Sequence, residues 1–251
     1  MSNVGRVPWY YSIAERDHEI QNPTSPEKIR LLGEWLRLAP ETRVLDIACG
    51  KGGPAVLLAS TFGCRITGVE RAPEFVVTAR QRIAAAGVDD LVEIIESDGR
   101  DFPLEPGAWD VALCLGATFV WDDLAGTLAA LVPAVRPGGH VAVGEPYWRT
   151  APPAGVDALG YVSLADTVSR FERSRLTTVG LIGSSTDDWD RYESLHWRAV
   201  EDWLAEQEHG SLEAVEIRGE NERRKRRYLE VRRDHLGWAI LVGRKTTKDR
   251  G

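Results

Sequence analysis

Cysteine is scarce: the 251-residue chain holds three, Cys49, Cys64 and Cys114, too few and too scattered for a disulfide framework or a zinc site. That scarcity predicts a reducing compartment, the cytoplasm. Positive charge is also in short supply. Lys plus Arg number 31 against 38 Asp plus Glu, a formal net charge of −7, so nothing draws the whole chain to a polyanion and a nucleic-acid partner would need a local basic patch. Long apolar runs are missing. The opening MSNVGRVPWYYSIAERDHEI has no leader-like core, and VALCLGATFVW is too short to span a bilayer. Neither an internal repeat nor a low-complexity linker interrupts the chain. A soluble protein with no membrane association and no resident metal is expected.

What is present is enough for a core. The hydrophobic fraction of 43% is ordinary for a globular protein, and the length suits one α/β domain with insertions. PEKIRLLGEWLRLA (26–39) places Ile29, Leu32, Leu36 and Ala39 at helical spacing, with Pro26 suited to an early helical position. The run 43–48 then reads as a strand, CGKGGPA (49–55) as a glycine-rich turn and the apolar residues after it as a helix. The unit repeats with a strand at 65–70, a helix striped by Phe75, Ala79, Ile83 and Ala86, and strands at 91–97, 110–116 and 140–145, the last two separated by a helix at 121–135. Strands alternating with helices predict a doubly wound, mostly parallel α/β sheet.

Beyond residue 150 the pattern changes. A helix is expected at 163–174, a strand at 176–184 and a closing strand at 237–245. The 50 residues between these strands are too many for a structureless connection and read as helical, with Trp197, Val200 and Leu204 on one face. The expected organisation is an N-terminal cover (1–25), a core (26–185), a helical cap (186–235) inserted before the last strand, and that strand with a tail (236–251).

The glycine turn carries the clearest chemical signal. Asp46 precedes it, and Ala48, Cys49, Gly50, Lys51, Gly52 and Gly53 let a ligand lie against the main chain and the next helix N-terminus. Alone, such a loop also suits nicotinamide and flavin enzymes. The second strand ends in Glu70, positioned for two ribose hydroxyls, and the third in Asp98-Gly99. Strand C-termini line the ligand crevice of a doubly wound sheet, and three carboxylates there suit a cationic, amino-bearing nucleoside better than a pyrophosphate.

In these motifs the sequence resembles the class I S-adenosylmethionine (SAM) dependent methyltransferases, with VLDIACGKGG, GVE, ESDGRD and RPGGHVAVGEPYW in the family's order over roughly residues 26–148. Ala48 stands where that family usually has its first glycine. GATFVW, GEPYWR, DDWDRYES and GWAILVGRK resemble, more narrowly and over nearly the whole chain, the bacterial YjhP-like methyltransferases. The resemblance implies a Rossmann-like seven-stranded sheet, SAM as cofactor and S-adenosylhomocysteine (SAH) as product. It implies that Asp46, Gly50 and Gly52 approach the methionine end, Glu70 the ribose, Asp98 and Gly99 the adenine, and that Leu115 and Gly116 lie under the cofactor. Ala48, Cys49 and Arg71 complete the implied cofactor set.

The acceptor side is less explicit. Tyr10, Tyr11, Trp121, Tyr147 and Trp148 adjoin the expected cofactor edge and are candidate walls of a small-molecule pocket, with His18 a further contact. Glu145, at the end of the fifth strand before Pro146-Tyr147-Trp148, and His196 are candidate proton acceptors. Glu145 serves equally as a brace for its turn, His18 as part of a solvated ERDHE face and His196 as a packed core histidine. ERRKRRYLEVRR (222–233) holds seven basic residues, but 187–208 holds eight acidic ones, and pairing between them would cancel much of the field. The expected activity is methyl transfer to O, N or S of a small, aromatic or apolar acceptor by a monomer or homodimer. The rivals are an RNA or protein methyltransferase using the basic run and a non-catalytic SAM-binding sensor.

Overall fold

A computed structural model describes residues 9–208 and 211–246, the side chain of Trp9 excepted; the outer parts of the expected cover (1–8) and tail (247–251) lie outside the described residues. Seven strands form one sheet in the order β3-β2-β1-β4-β5-β7-β6. These are β1 (Arg43–Ile47), β2 (Arg65–Glu70), β3 (Val92–Glu96), β4 (Trp109–Leu115), β5 (Val135–Trp148), β6 (Leu176–Gly183) and β7 (Leu236–Lys245). Only β7 runs against its neighbours, pairing antiparallel with both β5 and β6. Because β1 is central and β2 and β4 flank it, the chain reverses its direction of growth between them, which is where a doubly wound sheet opens its crevice.

Helices cover both faces. α2 (Pro26–Trp35) begins where the Ser25 hydroxyl accepts the Lys28 N–H and buries Ile29 and Leu32, with Leu36 just beyond its end. It stops earlier than its apolar spacing suggests, because Arg37 adopts a left-handed φ of 53°. α3 (Gly53–Phe62) and α4 (Pro73–Ala86) follow the first two strands, and α5 (Leu124–Ala134) follows β4 after a tight 3-10 turn, Thr118–Trp121. On α4 the buried stripe is Val76, Ala79 and Ile83; Phe75 instead turns to the crevice, and Ala86 is exposed.

α6 (Leu164–Glu172) packs beside β6, and α7 (Thr186–Ala205) starts on a reciprocal cap between Ser185 and Asp188. α8 (Leu212–Arg227) continues through a π-helical turn at Tyr228–Arg232 into the short α9 (Arg233–His235). α1 (Trp9–Ala14) belongs to this layer: Tyr10 and Ala14 pack with Val200 and Leu204 of α7 and with Ala214 and Ile217 of α8 in a small core of their own. Trp197 leaves that face and packs against the main core, its ring 5.9 Å from that of Tyr228. The N-terminal segment and the helices before β7 therefore share one apolar cluster.

The fifth strand is longer than its apolar run. It does not end at Glu145, where the sequence places its end, but continues to Trp148, because β7 supplies partners from Ala239 opposite Glu145 to Leu236 opposite Trp148. β4 ends at Leu115, opposite Gly144, so past that point one side of β5 is free of a ladder, where Pro146 and its missing N–H are tolerated.

Candidate active site

The C-terminal ends of β1, β2, β3 and β4 open into a crevice of about 640 Å³, within the range of roughly 300–1,000 Å³ usual for small-molecule sites. Asp46, Ala48, Cys49 and Gly50 line it from the β1 loop, Glu70 and Arg71 from the end of β2, Asp98 and Gly99 from the loop after β3, and Leu115 and Gly116 from the end of β4. Ala48 takes a left-handed φ of 54° and Gly50 one of 56°, which turns the chain sharply between strand and helix. For Ala48 that conformation costs of order 1–3 kcal/mol, which the contacts around it must outweigh.

Glu70 closes this loop. One carboxylate oxygen accepts the Gly50 N–H at 3.0 Å and the other the Ala72 N–H at 2.8 Å. Burial still holds its pKa above the ordinary carboxylate range, with these N–H groups acting in the opposite direction. Asp46, 2% exposed, is pushed up to about 7 by burial and by the nearby Glu70. Asp98 caps its own loop by accepting the Arg100 N–H at 2.9 Å and lies 3.6 Å from Arg71. Two desolvated carboxylates, Asp46 and Glu70, with no cation against Asp46 among the described residues, form a site that gains from a cationic ligand. The donor set thus fits the sulfonium and ammonium of SAM.

A segment without helix or strand roofs the crevice. The Gln21 side-chain oxygen accepts the Lys51 N–H at 2.8 Å, and the Asn22 amide donates to the Leu115 carbonyl at 2.9 Å. A Cβ at Gly50 would strike Gln21 Oε1, and one at Gly116, whose φ is 81°, would strike Asn22 Oδ1. The glycines in both loops therefore admit the roof as well as the turn. Arg82 on α4 holds the same segment through the carbonyls of His18 at 3.0 Å and Glu19 at 3.1 Å, and Lys51 Nζ donates to the carbonyls of Glu15 and Arg16.

The remaining sequence-selected residues divide. Gly52 is not part of the crevice lining; it adopts φ 72° as the cap of α3 with Ala79 behind it. Tyr11 does line the crevice and accepts a hydrogen bond from Arg224 at 2.7 Å. Tyr10 turns into the small core and donates to Asn221 at 3.1 Å. Trp121 packs on the β1, β4 and α5 core, and Phe119 and Val120 of the same turn line the crevice in its place. Tyr147 lies against Gly237. Trp148 is 6% exposed and donates its indole N–H to the Ala158 carbonyl at 3.0 Å. Extension of β5 along β7 takes these two aromatics away from the crevice, so neither forms the wall expected of it.

Glu145 is likewise outside the crevice lining. It sits buried in β5 and accepts the Thr118 hydroxyl at 2.8 Å. Burial pushes it up to about 7, against the Thr118 hydrogen bond. His18 is not on a solvated face; it is fully buried. His196 reaches it from α7, the rings 4.3 Å apart, and donates from Nε2 to Glu15 Oε1 at 2.9 Å. Burial alone would lower the His196 pKa, but Glu15 and Glu193 raise it to about 9. The same pairing carries Glu15 below the ordinary range in spite of burial.

Sequence reading missed Glu15, Glu19, Gln21, Asn22, Phe75 and Tyr192, all of which line the crevice. Residues 15–22 show neither helical nor strand periodicity, and Tyr192 lies 177 positions from the Glu15 carboxylate it meets. The two amides at 21 and 22, before Pro23, were the one local signal available.

A parallel sheet with one reversed strand, carrying acidic residues on successive strand ends around a glycine turn, defines a nucleotide-cofactor enzyme of the methyltransferase type. Residues 44–139 match a model described as a methyltransferase domain. Over 244 residues the chain is 31% identical to the uncharacterized protein YjhP of Escherichia coli K12, covering 94% of this chain and 98% of that one. It is similar to the crystal structure of a SAM-dependent methyltransferase from Geobacter sulfurreducens in complex with SAH, with a TM-score of 0.89, 32% identity, and coverage of 96% and 99% of the two chains. A more distant relative, 29% identical over 75% of this chain and 72% of its own, is the 27-O-demethylrifamycin SV methyltransferase of Amycolatopsis mediterranei. The chain belongs to the SAM-dependent methyltransferase family, and SAM is its cofactor.

Proposed function

We propose that the enzyme methylates an O, N or S atom of a small molecule that enters the crevice at the end bounded by Tyr11, Glu15, Glu19 and Tyr192. The observation that carries this reading is the roof. With Gln21 over Gly50 and Asn22 over Gly116, the acceptor side is a bounded pocket and not an open face for a macromolecule. SAM brings an already activated methyl group, so this chain's task is to align the acceptor and keep water out. Asp46 and Glu70 hold the cofactor's cationic and ribose portions, Asp98 and Gly99 border adenine, and Tyr11 and Tyr192 form the acceptor wall. Glu15 and Glu19 are the carboxylates that line this end of the crevice, a lining to which Glu145 and His196 do not belong.

The relative that acts on a rifamycin supports a small acceptor. The basic run supports it too: Arg223 and Arg224 pair with Glu220 at 2.7 and 2.5 Å, Arg233 pairs with Asp190 at 2.9 Å, and Lys225 lies over Trp197. Among the described residues no helix is long and apolar enough to cross a membrane. All three cysteines are free and buried, which supports action in a reducing compartment such as the cytoplasm. The test is incubation with methyl-labelled SAM and a cell extract separated into small-molecule, RNA and protein fractions. Label is expected in the small-molecule fraction and dependent on the enzyme. Label in RNA or protein alone overturns the reading, and SAM binding with no transfer to any fraction favours a sensor.

A further inference from the structure

We propose that Glu15, His18 and His196 form a binding site for a divalent transition-metal ion of the zinc class, which pins the roof segment to α7. One ligand atom from each lies within 4.8 Å of the others, and all three residues are buried. Glu15 and His18 come from the segment leading into the roof, His196 from α7, 181 positions away.

Two atoms carry the argument. Glu15 Oε2 and His18 Nδ1 are buried and have no hydrogen-bond partner among the described residues. His18 Nε2 meets the Tyr192 carbonyl at 2.9 Å; a carbonyl accepts, so Nε2 carries the proton and Nδ1 keeps its lone pair. Nδ1 then faces Glu15 Oε2 at 3.7 Å, two acceptors with nothing between them to donate, and too far apart for a hydrogen bond even if one were protonated. A Glu15–His196 ion pair satisfies the other carboxylate oxygen and leaves this pair as it is. A cation satisfies it. With metal–nitrogen and metal–oxygen distances near 2.1 Å, neighbouring ligand atoms of a tetrahedral ion stand about 3.4 Å apart, close to the 3.7 Å here; for His196 to join them, the ion must displace the proton that Nε2 shares with Glu15 Oε1.

His18 has the outer contact of a metal-bound histidine, whose second nitrogen is normally held by a carbonyl or carboxylate. The Tyr192 carbonyl holds it at 2.9 Å, and the Tyr192 hydroxyl donates to Glu15 Oε1 at 3.0 Å, while Glu193 Oε2, 3.9 Å from His196 Nδ1, stands beyond hydrogen-bond reach. Two imidazoles and a carboxylate suit zinc or its neighbours better than magnesium or calcium. Three protein ligands leave a fourth position, which water or the acceptor's heteroatom takes from the side of Glu15 and Tyr192, both part of the crevice lining. That last step rests on the acceptor position proposed above; the metal site does not.

The test uses tag-free protein, Zn²⁺ titrated by calorimetry against a competing chelator, and Co²⁺ followed by visible absorption. One equivalent of Zn²⁺ is expected, with a Tm rise that EDTA reverses in the unaltered protein, and tetrahedral Co²⁺ bands without a thiolate charge-transfer band. His18→Gln and Glu15→Gln should each weaken binding on the order of 100-fold or more, as loss of a ligand does. Equal zinc affinity in folded His18→Gln, a thiolate band placing the ion on cysteine, or a Tm indifferent to Zn²⁺ and EDTA overturns the site. Because these readouts involve no methyl transfer, failure of the metal site and failure of the small-acceptor reading are seen separately.

Discussion

The side-chain amide of Asn22 donates to the main-chain carbonyl of Leu115 at 2.9 Å, which fastens the segment before α2 across the end of β4 and over the glycine that ends it. Asn22→Ala removes one hydrogen bond worth about 0.5–1.5 kcal/mol and frees one side of the roof. SAH affinity is expected to fall about three- to tenfold, with a Tm lower by no more than about 2–6 °C. In the unaltered protein, amide exchange over residues 15–22 should slow when SAH binds. Exchange there that is indifferent to SAH would remove the roof from the binding step.

Asp46 gives SAM binding a pH dependence. Burial and Glu70 hold it at about 7 in the ligand-free protein, so at pH 5–6 it carries a proton, and a cationic ligand favours its loss. SAM affinity should therefore rise with pH by up to about tenfold per unit below 7 and level off above it. Asp46→Asn should flatten the profile. A profile unchanged by that substitution would put the proton elsewhere.

Glu145 is a stability group in this structure. Its folded pKa of about 7 lies above the ordinary carboxylate value, so the folded state binds the proton more tightly than the unfolded one. Its contribution is fully present below pH about 4.5 and is lost as pH rises through 7. Glu145→Gln keeps an acceptor for the Thr118 hydroxyl and removes the charge. The variant should match the unaltered protein near pH 5 and exceed it at pH 8, by an amount bounded at about 3 kcal/mol, with turnover per folded molecule nearly unchanged. A fall in turnover of about 10²-fold or more, the scale of a general base, would return Glu145 to the reaction.

The strand-and-turn grammar of the core was legible because both of its signals are local. Asp46 to Gly50 needs only a strand followed by a left-handed turn, and Glu70 and Asp98 stand at strand ends wherever the sheet's order puts them. The acceptor side was not, because long-range pairing decides it. Tyr147 and Trp148 read as loop aromatics, yet β7, some 90 residues later, continues the β5 ladder through them and fixes where they point. His18 sits in a charged run that reads as solvated, and only the arrival of His196 and Tyr192 on α7 buries it. Phe75 sits at the edge of the expected stripe; the buried stripe keeps Ala79 and Ile83 but takes Val76 instead, a turn of the apolar face of about 40° around the helix.

That the crevice at the ends of β1 to β4 is the SAM site is tested most directly by calorimetry of SAH with the unaltered protein, Glu70→Ala and Glu145→Gln. The unaltered protein should bind in the micromolar range, about −8 kcal/mol. Glu70→Ala should bind at least about tenfold more weakly, since a charged acceptor of the ribose is worth roughly 1.5–3 kcal/mol, and Glu145→Gln should bind as the unaltered protein does. Undiminished SAH affinity in folded Glu70→Ala would contradict the assignment.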